Sequence, residues 1–321
     1  MILTVVATLS GCTEDNNITP PPSNADTIYV GHTNANYSTI QEAINAAKNG
    51  ATIILKSGSY NELIDMNKTL TLIGEDKNTT IINFNPSTLI TQVPILNINA
   101  DNCSIENLQI TLSNKSVIAQ GISINTKNNT IKNTIITNVS NAIELTAYSE
   151  SNTIIHNQLI HNSFGIYATN SLHNTISYNT FINNTACNIY VSTESDNNNI
   201  SYNIIESSKT YGIRIKGSQE NIVFSNCITK NNRGLYCCCG ARSNHFYNNM
   251  LFNNSINAEE NAGLFNVWYN FPTGGGNYWD DYHGTDANHD GIGDTPYNIT
   301  GSGNQDLYPL MTPPVNTPCS Q

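Results

Sequence analysis

Apolar residues in this chain come in short clusters of alternating positions, separated by polar corners, and the clusters recur. Residues 152–168 read NTIIHNQLIHNSFGIYA, 174–191 NTISYNTFINNTACNIYV, 198–215 NNISYNIIESSKTYGIRI, 221–237 NIVFSNCITKNNRGLYC and 244–254 NHFYNNMLFNN. Their starts lie 22, 24, 23 and 23 residues apart. One apolar column is Ile154, Ile176, Ile200, Val223 and Phe246; another is Leu159, Phe181, Ile205, Ile228 and Leu251. Asparagine marks the corners in three columns. The first is Asn152, Asn174, Asn198, Asn221, Asn244; the second is Asn157, Asn179, Asn203, Asn226, Asn249; the third is Asn162, Asn184, Ser208, Asn231, Asn254.

A period near 22 with three short apolar stretches is too short for helix-pair repeats or a propeller blade, and the Leu-x-Leu spacing of leucine-rich repeats is missing. Strands of a few residues joined at polar corners predict a single-stranded parallel β-helix. Each repeat is then one rung, and like residues stack about 4.8 Å apart. Inward stacks are apolar. Stacked corner Asn side chains are expected to hydrogen-bond as ladders and to tolerate left-handed backbone angles. Weaker copies extend the pattern upstream: Gly121-Ile-Ser-Ile and Ala142-Ile-Glu-Leu, and before them Leu70-Thr-Leu-Ile, Ile81-Ile-Asn-Phe, Leu96-Asn-Ile and Ile105-Glu-Asn-Leu. Nine or ten rungs are expected over residues 52–270.

Solenoid ends need covers, because open strand edges recruit other chains. Ser38–Gly50 reads as an amphipathic capping helix with Ser38 as N-cap, Ile40, Ala43, Ile44 and Ala47 on one face, and Gly50 closing it. Residues 27–51 therefore form a first strand and cap. Residues 271–311 form an aromatic, Asp-rich C-terminal cap, and 312–321 a tail. At the amino terminus, an apolar run ends in Leu9-Ser10-Gly11-Cys12, which resembles the lipobox of secreted lipoproteins. It predicts a signal segment at 1–12, lipidation at Cys12 and a Pro-containing tether at 13–26. The run lacks a basic start and is too short to span a bilayer.

Composition sharpens this picture. Asn is about one residue in six, and charged residues are only 12% of the chain. Asn, Ser and Thr are poor helix formers, which excludes a long helical protein. Thirteen Lys and Arg against 24 Asp and Glu give a net charge of −11, which speaks against nucleic-acid binding. About a dozen Asn-x-Ser/Thr sequons, among them Asn67, Asn138 and Asn298, agree with an outside location.

With these residues in view, 27–74 resembles the opening segment of pectate-lyase-like right-handed β-helix proteins, which implies a right-handed parallel β-helix here. The rungs resemble the NosD-type family, also described as carbohydrate-binding and sugar-hydrolase-associated β-helices. Gly274–Met311 looks like the end of surface β-helix proteins of methanogenic archaea. The resemblance implies the fold; this fold hosts lyases, hydrolases, epimerases, adhesins and accessory proteins.

Three kinds of chemistry are candidates. First, Asp286, Asn288, Asp290, the Ile292 carbonyl and Asp294, with Gly291 at position six, have the spacing of a calcium loop. Tyr297 stands where a bidentate Glu belongs, so Asp280, Asp281 or Asp306 is expected to complete a structural calcium site. Second, strand alternation aims Glu144, Tyr167, Tyr190, Arg214 and Tyr236 outward on successive rungs, beside Thr146, Thr169, Ser192, Lys216 and Cys238. A tyrosine stripe with charged ends suits an elongated sugar chain, while ordinary cross-strand stacking gives the same column. No paired acids project from the aligned strands, and Glu206, Glu220, Glu259 and Glu260 are placed on looser segments. A hydrolase needs two carboxylates about 5–10 Å apart, so no catalytic residue is named. Third, the NosD-type resemblance implies a link to copper-enzyme maturation. Yet Cys237 is expected in the core under Ile215 and Val191, Cys238 outside, and His156, His161 and His173 on surface corners. Copper is therefore the weaker expectation.

The sequence thus reads as a lipid-anchored or secreted surface β-helix, most simply a non-catalytic module for a polysaccharide or envelope glycoprotein. The alternatives are a polysaccharide-processing enzyme and a copper-enzyme accessory factor.

Overall fold

A computed structural model describes residues 26–85, 91–114, 118–270, 274–315 and 317–319. The signal segment, Cys12 and all but the last residue of the tether lie outside the described residues. The chain winds as a right-handed parallel β-solenoid of about ten turns. It has three parallel sheets of ten, nine and ten strands running the length of the molecule. A rung in the middle shows the plan: Thr153–Ile155 lies in the first sheet, Gln158–Ile160 in the second and Phe164–Thr169 in the third.

The predicted apolar columns are the core. Ile154 pairs with Ile176, Ile176 with Ile200, Ile200 with Val223 and Val223 with Phe246, all buried. Solvent exclusion from these aligned side chains is the main favourable term in such a fold. The earlier rungs pair in register too, for example Leu72 with Ile105.

The Asn columns do more than mark corners. They lie inside the barrel of the chain: Asn203, Asn221, Asn226, Asn244 and Asn249 have no exposed surface. Asn179 Oδ1 accepts from Asn157 N (2.9 Å) and Nδ2 (3.0 Å), while Asn179 N and Nδ2 donate to Asn203 Oδ1 (2.9 and 3.2 Å). Most Nδ2 groups also bond a backbone carbonyl, as Asn179 Nδ2 does at Ile154 O (2.8 Å), while Asn129 and Asn174 donate to the hydroxyls of Thr126 and Ser171. One ladder runs without a break from Asn129 to Asn266 and another from Asn157 to Asn277. The third is interrupted at Ser208. Asn188 fills the gap, accepting from Asn184 Nδ2 (2.8 Å) and donating to Asn231 Oδ1 (3.2 Å). Left-handed angles fall elsewhere than expected, on the residue before the ladder Asn in the repeating rungs: His156, Tyr178, Tyr202, Ser225 and Asn248 have φ between 54° and 58°. The sharp turn is made by an outward residue, which leaves the Asn that follows free to point inward.

At the front, Thr27–Val30 pairs with Thr52–Leu55, and the helix Ile40–Ala46 covers the first rung with Ile40, Ala43 and Ile44. Its N-cap is Thr39, not Ser38. Thr39 adopts extended backbone, and its hydroxyl accepts from Glu42 N. The Glu62 carboxylate takes the next two free donors, Ile40 N (2.8 Å) and Gln41 N (3.0 Å).

At the rear, Tyr278–Trp279 adds one more strand to the second sheet. Trp268 and Trp279 close the core. The tail is tied back by the Cys227–Cys319 disulfide.

Each Asn ladder ends here on a carboxylate. Asn266 Nδ2 donates to Glu260 Oε1 (2.9 Å), Asn277 N to Asp306 Oδ2 (2.7 Å), and Asn257 Nδ2 to both Asp280 Oδ1 and Asp281 Oδ1 (2.8 Å each). The last amide of a ladder has donors left over, and an ionised carboxylate only accepts.

Candidate functional site in the third sheet and its corner

The third sheet carries the stripe. Its register pairs Glu144 with Tyr167, Tyr167 with Tyr190, Tyr190 with Arg214 and Arg214 with Tyr236, so the five lie in one outward column. The column is longer than the sequence indicated. Asp65, Asn97 and Ser123 precede Glu144, and Glu259 follows Tyr236. It therefore spans nine rungs, or about 38 Å at about 4.8 Å per step. Glu259 and Glu260 belong to the strand Ile256–Asn261, not to a loose segment. Ala258 takes the place under Leu235 that the other rungs give to Ile or Leu, which hid the alignment. Glu206 is likewise in a strand, Ile204–Glu206, paired to Lys230 (2.8 Å).

A second outward column was missed. The strand Phe164–Thr169 has two consecutive inward residues, Gly165 and Ile166. A Cβ on Gly165 would meet Asn188 O at 2.4 Å and the Phe181 ring at 2.6 Å, so only Gly fits this close approach. The irregularity brings Phe164 back outward, and with it Tyr211 and Arg233 on later rungs. The two columns interlock. Tyr211 and Tyr236 stack at 5.1 Å, Tyr167 meets Tyr190 edge-on at 5.1 Å, and Phe164 stacks on Tyr190 at 5.9 Å. Tyr190 is left 9% exposed. Burial, then the nearby Tyr190 and Glu144, hold the Tyr167 phenol above its usual range.

Arg214 lies over the rings of Tyr211 (5.0 Å), Tyr190 (5.2 Å) and Tyr236 (5.6 Å). Arg233 lies 5.8 Å from Tyr211 and Tyr236 and is paired with Glu259.

Beside the stripe, at the corner between the third sheet and the next rung of the first, runs a groove of about 630 Å³. Lys127, Glu150, Glu194, Asp196, Gln219 and Arg242 line it, and with Asn170 and Leu172 its wall is drawn from six successive corners. Lys127 pairs with Glu150, Arg242 Nε donates to Gln219 Oε1 (2.6 Å), and Asp196 Oδ1 accepts from Gln219 N (2.8 Å). Stripe strands lead straight into this groove: Tyr167 is three residues from Asn170 at its wall, roughly 10 Å along extended chain. A separate aromatic ladder, His156, Tyr178, Tyr202, Phe224 and Tyr247, stacks along the first sheet and its corner at 5.0–5.4 Å per contact.

In the C-terminal cap, Asp286, Asn288, Asp290, Ile292 and Asp294 share one turn. Asp286 accepts from Asp290 N (3.1 Å) and Gly291 N (2.9 Å), Asp290 from Ile292 N (2.8 Å), and Asp294 from Ala287 N (2.9 Å). Asp280, Asp281 and Asp306, expected to complete this loop, are committed to the ladder ends instead. Asp306 is fully buried and also accepts from Trp279 Nε1 (3.0 Å).

The family model described as "Periplasmic copper-binding protein (NosD)" matches residues 75–284. The chain belongs to the NosD family. A relative, the probable ABC transporter binding protein NosD of Stutzerimonas stutzeri, is 30% identical over 106 residues, 32% of this chain. The match spans 24% of that protein's length. Among solved structures, XylC in complex with xylose superposes with a TM-score of 0.61 at 11% identity, covering 76% of this chain and 70% of XylC. The A-module of the mannuronan C-5 epimerase AlgE4 of Azotobacter vinelandii gives 0.54 at 15% identity, covering 70% of this chain and 76% of the module. At such identities the likeness shows the fold.

The family's copper raises the question of donors in this member. Cys237 is buried in the core, paired in register with Ile215. Cys238 faces outward but is covered, 1% exposed, with its sulfur 3.6 Å from Arg214 Nη2. Cys239 turns away past the strand end at φ 61°, its sulfur 2.9 Å from that of Cys238. Among the described residues, no three His, Cys, Asp or Glu side chains gather to hold a metal. Two adjacent thiols without a third donor do not fit a soft-metal site of three or four ligands.

Proposed function

We propose that this NosD-family chain is a cell-envelope β-helix whose third sheet binds a polysaccharide or an envelope glycoprotein without cleaving it. The observation that carries this reading is the outward column from Asp65 to Glu259, which repeats at a spacing close to the length of one sugar unit in an extended chain. The groove that runs beside it in the same direction supports a ligand lying along the solenoid axis. The family description supports an envelope location. Two proteins of the same fold, XylC with xylose and a mannuronan epimerase, hold or act on sugars. Against catalysis, Glu150 in the groove is tied to Lys127 and Glu259 in the stripe to Arg233.

The test is a glycan array on the purified protein, followed by mass spectrometry of any glycan bound. Tyr167→Ala combined with Tyr190→Ala should weaken binding at least about tenfold, because stacking and burial on two rungs are lost. Tyr178→Ala in the other aromatic ladder should leave binding unchanged. New reducing ends or unsaturated products would instead make the protein an enzyme. Absence of binding to every glycan would remove the reading altogether.

Calcium at the 286–294 turn is a second proposal for the same molecule. Oxygen donors spaced at positions 1, 3, 5 and 9 along the chain, with Gly291 at φ 86° making the bend, support it; Asp286, Asp290 and Asp294 do not converge without the ion, which would have to draw them together. Added calcium should release or absorb heat in titration calorimetry and raise the melting temperature. Neither effect at millimolar calcium would dismiss the ion.

A further inference from the structure

Arg214 and Lys216 lack the oxygen partners that most cations among the described residues have: Lys56 and Lys68 donate to backbone carbonyls, Lys77 to Asn133 Oδ1 and Arg242 to Gln219 Oε1. The five ion pairs among the described residues use Lys48, Lys127, Lys132, Lys230 and Arg233. Arg214 has no acid beside it. Of its donors only Nη2 reaches a protein atom, and that atom is the weakly accepting sulfur of Cys238 at 3.6 Å. Its Nε is buried with no hydrogen-bond partner. Lys216 lies two residues on, on the same outward side of the strand Tyr211–Lys216, about 7 Å away. It too makes no ion pair among the described residues. Two unpaired cations thus sit on one rung of a protein whose net charge is −11.

A guanidinium that served only to brace aromatic rings would be expected to look like Arg233, which lies over Tyr211 and Tyr236 and is neutralised by Glu259. Arg214 lies over the same two rings and Tyr190 as well, but its charge is left over. The rings hold its plane in a fixed orientation, which suits bidentate recognition of a planar anion.

We infer that Arg214 and Lys216 form an acid-recognition subsite, and that the chain bound along the third sheet is a carboxylated polysaccharide, a polyuronate. This rests on the glycan reading above and narrows it. Arg214 takes the carboxylate in a forked pair of hydrogen bonds, Lys216 adds a second charge one outward column over, and Tyr190 and Tyr236 flank the sugar unit on the neighbouring rungs.

Binding of the full-length protein is measured by calorimetry against four polymers: polygalacturonate, its fully methyl-esterified form, dextran sulfate and dextran. Polygalacturonate should bind at least about tenfold more tightly than its ester, and its affinity should fall as salt rises. Arg214→Gln should weaken polygalacturonate by about ten- to hundredfold while changing the ester little, and Lys216→Gln should act in the same direction by less. Arg214→Lys, which keeps the charge and loses the fork, should fall between. Melting temperatures of the variants separate lost binding from lost fold. Equal affinity for polygalacturonate and its ester would overturn the acid subsite while leaving a glycan-binding module standing. Dextran sulfate binding as tightly as polygalacturonate would overturn the carboxylate assignment. No polymer bound on the array or here would overturn both readings.

Discussion

Asn226→Leu should destabilise the solenoid by on the order of 4 kcal/mol, although the replacement is apolar and similar in size. Asn226 Oδ1 accepts from Asn203 N (3.0 Å) and Nδ2 (2.9 Å), and its Nδ2 reaches Ile200 O (2.8 Å), Phe224 O (3.0 Å) and Asn249 Oδ1 (3.0 Å). Removing this one amide strands the Asn203 backbone N–H and one of its two Nδ2 hydrogens, the other staying on Ile176 O, and takes a donor from Ile200 O, all away from water. Each orphan costs about 1–3 kcal/mol, against which the gain from a buried Leu is smaller than the sum. Asn254, at the partly exposed end of its ladder, can call on water; Asn254→Leu should cost about 1–2 kcal/mol. Asn226→Asp makes the sharper comparison. It keeps the acceptor and replaces the donor with a buried charge, so its deficit should shrink as pH falls and the acid protonates. Denaturant midpoints for the three variants decide the matter. A loss under about 1 kcal/mol for Asn226→Leu would mean that the ladders are decorative and that apolar stacking alone holds the rungs.

The ladders were legible because a solenoid writes its third dimension into one. Residues 22 to 24 apart are neighbours, so a column of Asn in the alignment is a column in space. The core and the stripe followed from the same rule together with strand alternation. What escaped notice broke one of these two regularities. Two inward residues in succession at Gly165 and Ile166 displaced Phe164, Tyr211 and Arg233 outward, where alternation would have put them inside. Ala258 in place of Ile or Leu hid the last strand of the third sheet and, with it, Glu259 and Glu260. The groove at Lys127–Arg242 is built from corners of differing sequence, and its residues meet only because the corners superpose. Thr39 instead of Ser38 at the helix start is a shift of one residue between two good caps, settled by which hydroxyl faces Glu42 N. The composition also changes meaning. Asn abundance is no mere tolerance of turns; the amides fill the interior of the corners. The acids that crowd the C-terminal cap divide into two groups, the ladder ends and the 286–294 turn.

Asp306 makes the ladder-end assignment testable through pH. Its carboxylate is fully buried, and burial raises its pKa to about 6, even though hydrogen bonds from Asn277 N, Trp279 Nε1, Tyr308 N and Asn277 Nδ2 pull the other way. In the unfolded chain an Asp titrates near 3.9. Between these values the folded state holds a proton that the unfolded state has lost. The contribution of Asp306 to stability is therefore complete below about pH 4 and disappears as pH rises through about 6. Asp306→Asn abolishes this titration and leaves every other carboxyl in place, so the difference between wild type and variant isolates it. In denaturant melts, wild type should gain on the variant by about 2 kcal/mol in going from pH 7.5 to pH 4.5. At pH 7.5 the variant should still be the weaker of the two. One of its amide hydrogens must point at donors, either Tyr308 N on one side or Asn277 and Trp279 on the other. A difference that stays flat with pH would place Asp306 in water and detach it from the ladder. A difference that grows toward neutral pH would mean that the charged form is the one the cap selects, and that the ladder's donors outweigh the burial of the charge.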